Sequence, residues 1–250
     1  AACVAATLAI VAGTGSSAPP RAAAAVLQRL ARVASGQRPV SAPAPGHYLY
    51  VDSTQAGESV QGGCSTLVAE QRQIWISANG SGRVLESTGQ GSFFSTHDRL
   101  VCRRSHSILL NSRATSDTWW ARGCYSIGDA SYLRGSFRDP KTLLQKLAEI
   151  AGGPPGSAEA FMHIGDFLRE SDASPALRAA IYRAAATIPG ARLLGPVSDR
   201  LGRPGIGIAL TSHRWTSELI LDPHDSALLA EQTTFRGQLH GWGCIARQRL

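Results

Sequence analysis

The segment from Thr216 to Thr233 constrains the fold of this chain more than any other part of the sequence. It reads Thr-Ser-Glu-Leu-Ile-Leu-Asp-Pro-His-Asp-Ser-Ala-Leu-Leu-Ala-Glu-Gln-Thr, two apolar runs around an Asp-Pro turn, which is typical of a β-hairpin. The stretch from Arg192 to Leu210 repeats this design around Gly202-Arg-Pro-Gly205, with strand-like alternation after the turn. The carboxyl-terminal third is therefore predicted to be an antiparallel meander, whose apolar face must be covered.

Composition excludes two broad classes of protein. With 250 residues, 43% hydrophobic and 17% charged, the chain has the profile of a globular domain rather than a disordered one. The net charge of +7 comes almost entirely from arginines, which are spread from Arg21 to Arg249 without a dense run. A nucleic-acid-binding surface requires basic residues clustered on one face of the protein. The sequence therefore predicts no nucleic-acid partner.

The amino-terminal stretch predicts export. Residues 1–15 are apolar up to Gly13 and are interpreted as a truncated transmembrane helix or a signal segment. A lipid-modified Cys3 is a third reading, and all three place the rest of the chain outside the cytoplasm. Residues 16–45 are expected to form a stalk and an amphipathic helix, and residues 46–250 an exported domain. The expected location is the cell membrane, with a single pass and the main domain extracytoplasmic.

The cysteine content agrees with an oxidising compartment. Cys64, Cys102, Cys124 and Cys244 form an even set without the close spacing of zinc or thioredoxin-like sites. Two disulfides are expected, Cys102 with Cys124 because that loop is the shorter, and Cys64 with Cys244. Four unpaired buried thiols are the alternative.

Patterns in the first half of the chain predict one helix and several strands. Arg21 to Ser35 has apolar residues at helical spacing, and His47-Tyr-Leu-Tyr-Val-Asp52 begins a strand rich in aromatic residues. Ala69 to Glu86 is predicted to be a hairpin around Asn79-Gly80, a pair favoured in type I′ turns. Gly89 to Phe137 is predicted to be a stapled, partly irregular excursion from the sheet.

The middle of the chain predicts three helices. The first begins at Asp139-Pro140, which matches an N-cap followed by proline at N1, and ends at Gly152-Gly153. The second covers about residues 158–170, and the third begins at Ser174-Pro175. Four apolar residues at helical spacing are expected to be buried against the sheet: Leu143, Leu147, Leu177 and Ile181. A final strand is predicted near residues 238–246.

This order of elements predicts one α+β domain. Strands at both ends of the chain most economically form a single antiparallel, strongly curved sheet, a half-barrel, with the helices packed on one face.

Several blocks of the sequence follow one another in an order that a known family shares: His47-Tyr-Leu-Tyr-Val, Arg72-Gln-Ile-Trp-Ile-Ser-Ala-Asn-Gly-Ser-Gly-Arg83, Asp139-Pro-Lys-Thr-Leu-Leu, Pro175-Ala-Leu-Arg-Ala-Ala-Ile-Tyr-Arg-Ala, Ile188-Pro-Gly-Ala-Arg-Leu-Leu-Gly195, Asp199-Arg-Leu-Gly-Arg-Pro-Gly205 and Glu218-Leu-Ile-Leu-Asp-Pro223. Together they resemble an actinobacterial family of single-pass membrane proteins of unknown function, often encoded beside extracytoplasmic-function sigma factors. The resemblance covers about residues 47–232. It implies a membrane-anchored exported domain with an anti-sigma-like or sensory role.

A more distant resemblance links the hairpin after a helical middle to the half-barrel of lipoprotein-carrier and periplasmic sigma-regulator domains. It implies a fold and no activity. A contact with a sigma factor would be expected in a cytoplasmic segment upstream of residue 1. The chain departs from the first family in its cysteine-containing stretch from Gly89 to Tyr125.

Motif spacing predicts that the chain is not an enzyme. It contains no Gly-x-Ser-x-Gly elbow, no His-Glu-x-x-His and no glycine-rich phosphate loop leading into a helix. No catalytic residue, metal site or cofactor is therefore predicted.

Two functions remain, and the tryptophans bear on both. Trp119 and Trp120 are adjacent, so in a strand one ring enters the core and the other faces a cavity or partner; Trp75 belongs to the same possible surface. One hypothesis is an extracytoplasmic sensor or interaction domain that binds an unknown protein partner. The alternative is a carrier-like domain that holds a lipid or lipopeptide in the half-barrel. A helix-filled sheet favours the first and an open apolar cavity the second.

Overall fold

In a computed structural model of the chain, residues 20–38, 43–61, 64–93, 114–121, 139–171 and 173–249 are described. The helices are α1 (Pro20–Ser35), α2 (Pro140–Ala151), α3 (Ala158–Glu170) and α4 (Pro175–Ala185). The strands are β1 (Tyr48–Gln61), β2 (Cys64–Ser77), β3 (Gly82–Phe93), β4 (Thr115–Trp120), β5 (Arg192–Ser198), β6 (Pro204–Ser212), β7 (Trp215–Leu221), β8 (Leu228–Phe235) and β9 (Gln238–Arg249).

The strands form one open antiparallel sheet in the order β4-β3-β2-β1-β9-β8-β7-β6-β5. Two meanders, β1 to β4 and β5 to β9, meet where β1 pairs with β9, so the first and last strands of the sequence lie side by side at the centre. The predicted α+β class with a single antiparallel sheet is confirmed. Both predicted carboxyl-terminal hairpins are present, as is the hairpin at Asn79-Gly80, where Gly80 adopts a φ of +80°.

Local sequence sets the helix boundaries. At the start of α2, the Asp139 carboxylate accepts hydrogen bonds from the backbone N–H of Lys141 (3.2 Å) and Thr142 (3.0 Å). Pro140 occupies the first turn, where a missing N–H costs nothing. Gly152 ends the helix in the left-handed conformation, at φ +72°. The predicted start and end of this helix are confirmed.

The main core lies between the helices and one face of the sheet, here called the inner face. Leu143, Leu147 and Ile181 are fully buried there, and Leu177 is 2% exposed, so the predicted helix stripe is confirmed. Helix α1 joins the same core by burying five apolar residues, Ala23, Leu27, Leu30, Ala31 and Ala34. The opposite, outer face carries a smaller apolar cluster under the β5–β6 turn, formed by Ile220, Leu229, Ala230 and Cys244.

The pairing of Cys64 with Cys244 is wrong, since Cys244 is a free, buried thiol. Cys64 lies opposite Gln61 and Cys244 opposite Thr54, so the two are separated by the length of β1 from residue 54 to residue 61. That length is about 24 Å, whereas a disulfide requires Cα atoms within about 7 Å. Cys64 is itself disulfide-bonded. The other two cysteines of the prediction, Cys102 and Cys124, lie outside the described residues.

Two other predictions concern residues outside the described ranges. The apolar segment 1–15 lies there, as does most of the excursion 89–137, of which residues 89–93 belong to β3 and residues 114–121 contain β4. Within the described residues, every helix is too short or too polar to cross a bilayer.

Candidate functional site

A row of aromatic and cationic side chains crosses the outer face of strands β1 to β4. Residues alternate between faces along a strand, so Trp75 points outward because its neighbours Ile74 and Ile76 are buried on the inner face. The register places Tyr50 opposite Trp75, Trp75 opposite Arg83, and Arg83 opposite Trp119. We call these four residues, Tyr50, Trp75, Arg83 and Trp119, the outer ladder.

The members of the outer ladder stack on one another. The rings of Tyr50 and Trp75 are 5.3 Å apart at 46°, a tilted arrangement. The guanidinium carbon of Arg83 lies 5.2 Å from the Trp75 ring centroid and 5.1 Å from that of Trp119. Each of the two cation–π contacts between Arg83 and a tryptophan ring contributes about 0.5–1 kcal/mol at an exposed site. Trp119 nevertheless keeps 69% of its surface exposed.

Asp117 fixes the position of Arg83 between the two tryptophans. Its carboxylate accepts two parallel hydrogen bonds from the guanidinium, at 2.7 and 2.8 Å, a bidentate geometry that restricts rotation. The hydrogen bond to Arg83 lowers the pKa of Asp117, so the pair stays ionised at neutral pH. Asp117 therefore orients Arg83 between the two tryptophans and balances its charge locally.

Trp120 lies on the inner side of the same strand. Its ring packs against the main core, and its indole Nε1 donates a hydrogen bond to the carbonyl of Gly80 at 2.9 Å. A Cβ on Gly82 would sit 2.3 Å from this ring, so glycine is required opposite it. The structure thus brings Trp75 and Trp119 together through Arg83 and separates Trp120 from both. Their role in binding stays a prediction.

The inner face contains a cavity of about 280 Å³ between α3 and the sheet. We call it the inner cavity; its walls combine polar side chains with bare backbone. The residues that line it are Gln55, Ala56, Gly57, Glu70, Met162, Asp166, Arg169, Ser217, Leu219, Glu231, Gln232, Thr233, Gly241, Trp242 and Gly243.

A buried ion-pair network crosses one wall of the inner cavity. The Arg169 side chain on α3 is only 8% exposed; it contacts Asp166 at 2.8 Å and pairs directly with Glu231 on β8. Burial lowers the pKa of Arg169, and the Asp166 charge opposes that shift. Gly165 and Gly243 leave room for the network, because a Cβ on either would meet Glu231 or Arg169 side-chain atoms within 3.2 Å.

The sequence predicted a possible surface of Trp75, Trp119 and Trp120, with one ring of the adjacent pair in the core, and the structure places Trp120 inside. The prediction missed the neighbours Tyr50, Arg83 and Asp117 and the whole inner cavity. Trp75 and Arg83 flank the predicted Asn79-Gly80 turn at hairpin spacing, so their pairing could have been derived from that turn. Asp117 and Tyr50 reach the outer ladder only through sheet pairing. Glu231 and Arg169 are 62 positions apart, and nothing local connects them.

No metal-binding cluster of three or more histidine, cysteine or acidic residues occurs within the described ranges. His163 is buried on α3, and burial lowers the pKa of its imidazole, which therefore stays neutral at pH 7. The prediction that the chain is not an enzyme stays a prediction.

Known proteins offer a distant structural likeness. No protein-family model and no curated protein matches the chain. Among solved structures, the MucA/MucB complex of Pseudomonas aeruginosa is similar, with 16% identity, coverage of 91% of this chain and 56% of that chain, and a TM-score of 0.36. A crystal structure of MucB is similar at 14% identity, 92% and 58% coverage, and a TM-score of 0.33.

The chain therefore spans less than two thirds of the length of these structural neighbours. The actinobacterial family finds no support in the comparisons.

Proposed function

We propose that this chain is an extracytoplasmic sensor or interaction domain that binds a protein partner through the outer face of β1 to β4. The observation that carries the proposal is Trp119, which remains 69% exposed while it stacks on an Arg83 held by two hydrogen bonds. Tryptophan, tyrosine and arginine dominate interface hot spots, and a surface that is already ordered loses little entropy on binding.

The inner face favours this reading over a lipid carrier. Helices pack on the inner face and form the main core with it. The inner cavity that remains is lined by Glu70, Asp166, Arg169 and Glu231 among others. An alkyl chain in such a cavity would desolvate charged groups without replacing their partners, which is costly. Carriers of apolar ligands require a mostly apolar cavity.

The proposal includes the compartment and the mode of action. The disulfide at Cys64 supports an oxidising, extracytoplasmic location. We propose a single-pass anchor upstream of α1 and relay of the signal by a partner, with anti-sigma-like regulation through a cytoplasmic segment as its specific form. Function by recognition requires no hydrolytic or redox activity from this domain.

Site-specific photo-crosslinking in cells tests the proposal. A photoreactive residue at position 119 should capture one defined protein, whereas the same residue at position 194 should not. Leu194 is a matched control because it is 43% exposed and lies on β5, at the opposite edge of the sheet.

The captured protein is then purified and titrated against variants of this chain. Trp119→Ala should weaken binding by about 30-fold, the effect of a hot-spot residue worth about 2 kcal/mol, and Leu194→Ala should leave it unchanged. If the Trp119→Ala variant binds the partner as tightly as the unmodified chain does, the outer ladder is not part of the interface.

A further inference from the structure

Helix α1 presents a row of arginines to solvent. The exposed residues of the helix lie opposite the stripe that it buries in the main core, and they are Arg21, Ala25, Gln28, Arg29, Arg32 and Ser35. At about 100° per residue, the three arginines span roughly 80° of the helix circumference. The residues between them are uncharged, so the three guanidinium groups point away from the domain together. We call Arg21, Arg29 and Arg32 the arginine face.

The elements around the arginine face provide no acidic side chain. Helix α1 packs against α4 and β5, and the charged residues of these three elements are all arginines. No arginine of the face forms an ion pair with a described residue. After the helix, Gln37 contacts the backbone carbonyl of Asp225, whose carboxylate instead accepts the N–H of Ala227 at 2.8 Å. The positive charge of the arginine face is therefore not balanced within this layer.

The arrangement is unfavourable for a helix that faces only water. Arg29 and Arg32 are three positions apart on one face, a spacing at which like charges repel each other. Arg21 lies in the first turn, where the partial positive charge of the helix end repels a cation. An anionic surface would offset both effects, because it attracts all three guanidinium groups at once.

The position of α1 in the chain identifies that surface, an argument that rests on the anchor proposed above. Six residues, 14–19, separate the apolar segment 1–13 from Pro20. Six residues reach at most about 22 Å, and a helix of 16 residues is about 24 Å long. With segment 1–13 in a bilayer, α1 therefore begins near the lipid headgroups and is able to lie along them.

We infer that the arginine face binds the phosphates of an anionic lipid surface, with α1 lying along the membrane. Guanidinium groups bind phosphate oxygens through paired hydrogen bonds. The contact is electrostatic and reversible, because Leu27 and Leu30 are buried in the main core and are unavailable for insertion into the bilayer. Each arginine near such a surface strengthens binding about fivefold, so the three together contribute about 100-fold.

Partition of the full chain onto lipid vesicles tests this inference. Vesicles of phosphatidylcholine alone are compared with vesicles of phosphatidylcholine and phosphatidylglycerol in equal parts. Segment 1–13 is uncharged and contributes similarly to both, so the ratio of the two affinities measures the effect of lipid charge. The expected ratio is about 100 at low salt. It should approach one in 1 M salt, where the Debye length is about 3 Å.

Variants of equal charge separate the arginine face from the net charge of the chain. Replacement of all three arginines of the face by glutamine should bring the affinity ratio to within about fivefold of one. The matched control removes the same charge from three exposed arginines in turns of the sheet and should leave the ratio within about threefold of that of the unmodified chain. The control substitutions are Arg200→Gln, Arg214→Gln and Arg236→Gln.

Replacement of the arginine face by three lysines keeps the charge and should keep the ratio within about fivefold, which a folding defect would not do. Equal binding to the two kinds of vesicle, or an equal loss in the arginine-face and control variants, would overturn the inference. Photo-crosslinking in cells from position 25 tests the other occupant, since capture of a defined protein there would assign the face to a protein and also overturn it. Capture from position 119 is a separate result, so this inference and the proposed partner site fail independently.

Discussion

Replacement of Arg169 by methionine should destabilise the domain strongly. Methionine keeps the length of the side-chain stem and removes the charge, so the Glu231 carboxylate, 18% exposed, loses its direct partner. Removal of one member of a buried ion pair costs about 3–5 kcal/mol, because the other charge stays buried without compensation. The Arg169 side chain is only 8% exposed, so its ion pair with Glu231 counts as buried. We therefore expect a loss of about 3 kcal/mol in the free energy of unfolding.

A double-mutant cycle separates the ion pair from the loss of packing. Glu231→Gln alone should cost less, about 1–2 kcal/mol, since Arg169 keeps its contact with Asp166 at 2.8 Å. In the Arg169→Met, Glu231→Gln double variant no uncompensated carboxylate remains at position 231. The double variant should therefore be more stable than the sum of the single losses predicts, with a coupling of about 1–3 kcal/mol.

Urea denaturation monitored by circular dichroism measures all three variants. A loss of about 3 kcal/mol corresponds to a fall in Tm of about 6–12 °C for a domain of this size. A loss below about 0.5 kcal/mol for Arg169→Met would show that solvent reaches the network, since surface ion pairs contribute that little. Strict additivity in the cycle would show that Arg169 and Glu231 do not interact.

Three further predictions concern packing and pH. Gly82→Ala should cost about 1–3 kcal/mol and shift the Trp120 fluorescence, because the new Cβ would lie 2.2 Å from a backbone carbonyl and 2.3 Å from that ring; an unchanged spectrum and midpoint would contradict this. Leu147→Ala should cost about 2–5 kcal/mol in urea denaturation, and a loss below about 0.5 kcal/mol would make the helices peripheral. Burial raises the pKa of Glu218, so the folded state binds a proton more tightly than the unfolded state, and stability falls as pH rises from about 4.3 through the raised pKa. Glu218→Gln should abolish that part of the pH profile, with Glu149→Gln as the control.

Local sequence signals were sufficient to predict most helices and strands. The cap at Asp139 and the glycines at 152–153 set α2 to within a residue, and Asn79-Gly80 set the β2–β3 turn. Each of these signals is local: the Asp139 carboxylate accepts hydrogen bonds from the first turn of the helix, and Gly80 and Gly152 adopt a positive φ that favours glycine. Such signals act without tertiary context. The α+β class followed because the helical middle lies between two sets of strands.

Long-range pairing could not be derived in the same way. The prediction that Cys64 pairs with Cys244 failed because it used loop length, whereas the register sets Cys64 at the start of β2, opposite Gln61, and Cys244 opposite Thr54. The pairing of β1 with β9 sets that register, and the two strands are far apart in sequence. The entropic cost of loop closure changes slowly with loop length, so it discriminates poorly among the possible cysteine pairings. The strand register, which loop length does not reveal, decides which cysteines can meet.

The candidate sites were predicted only in part for a related reason. Adjacent tryptophans in a strand must face opposite sides, so the separation of Trp119 from Trp120 follows from backbone geometry. Asp166 and Arg169 have the spacing of an ordinary exposed helix pair, and only the approach of Glu231 from β8 makes them part of a buried network.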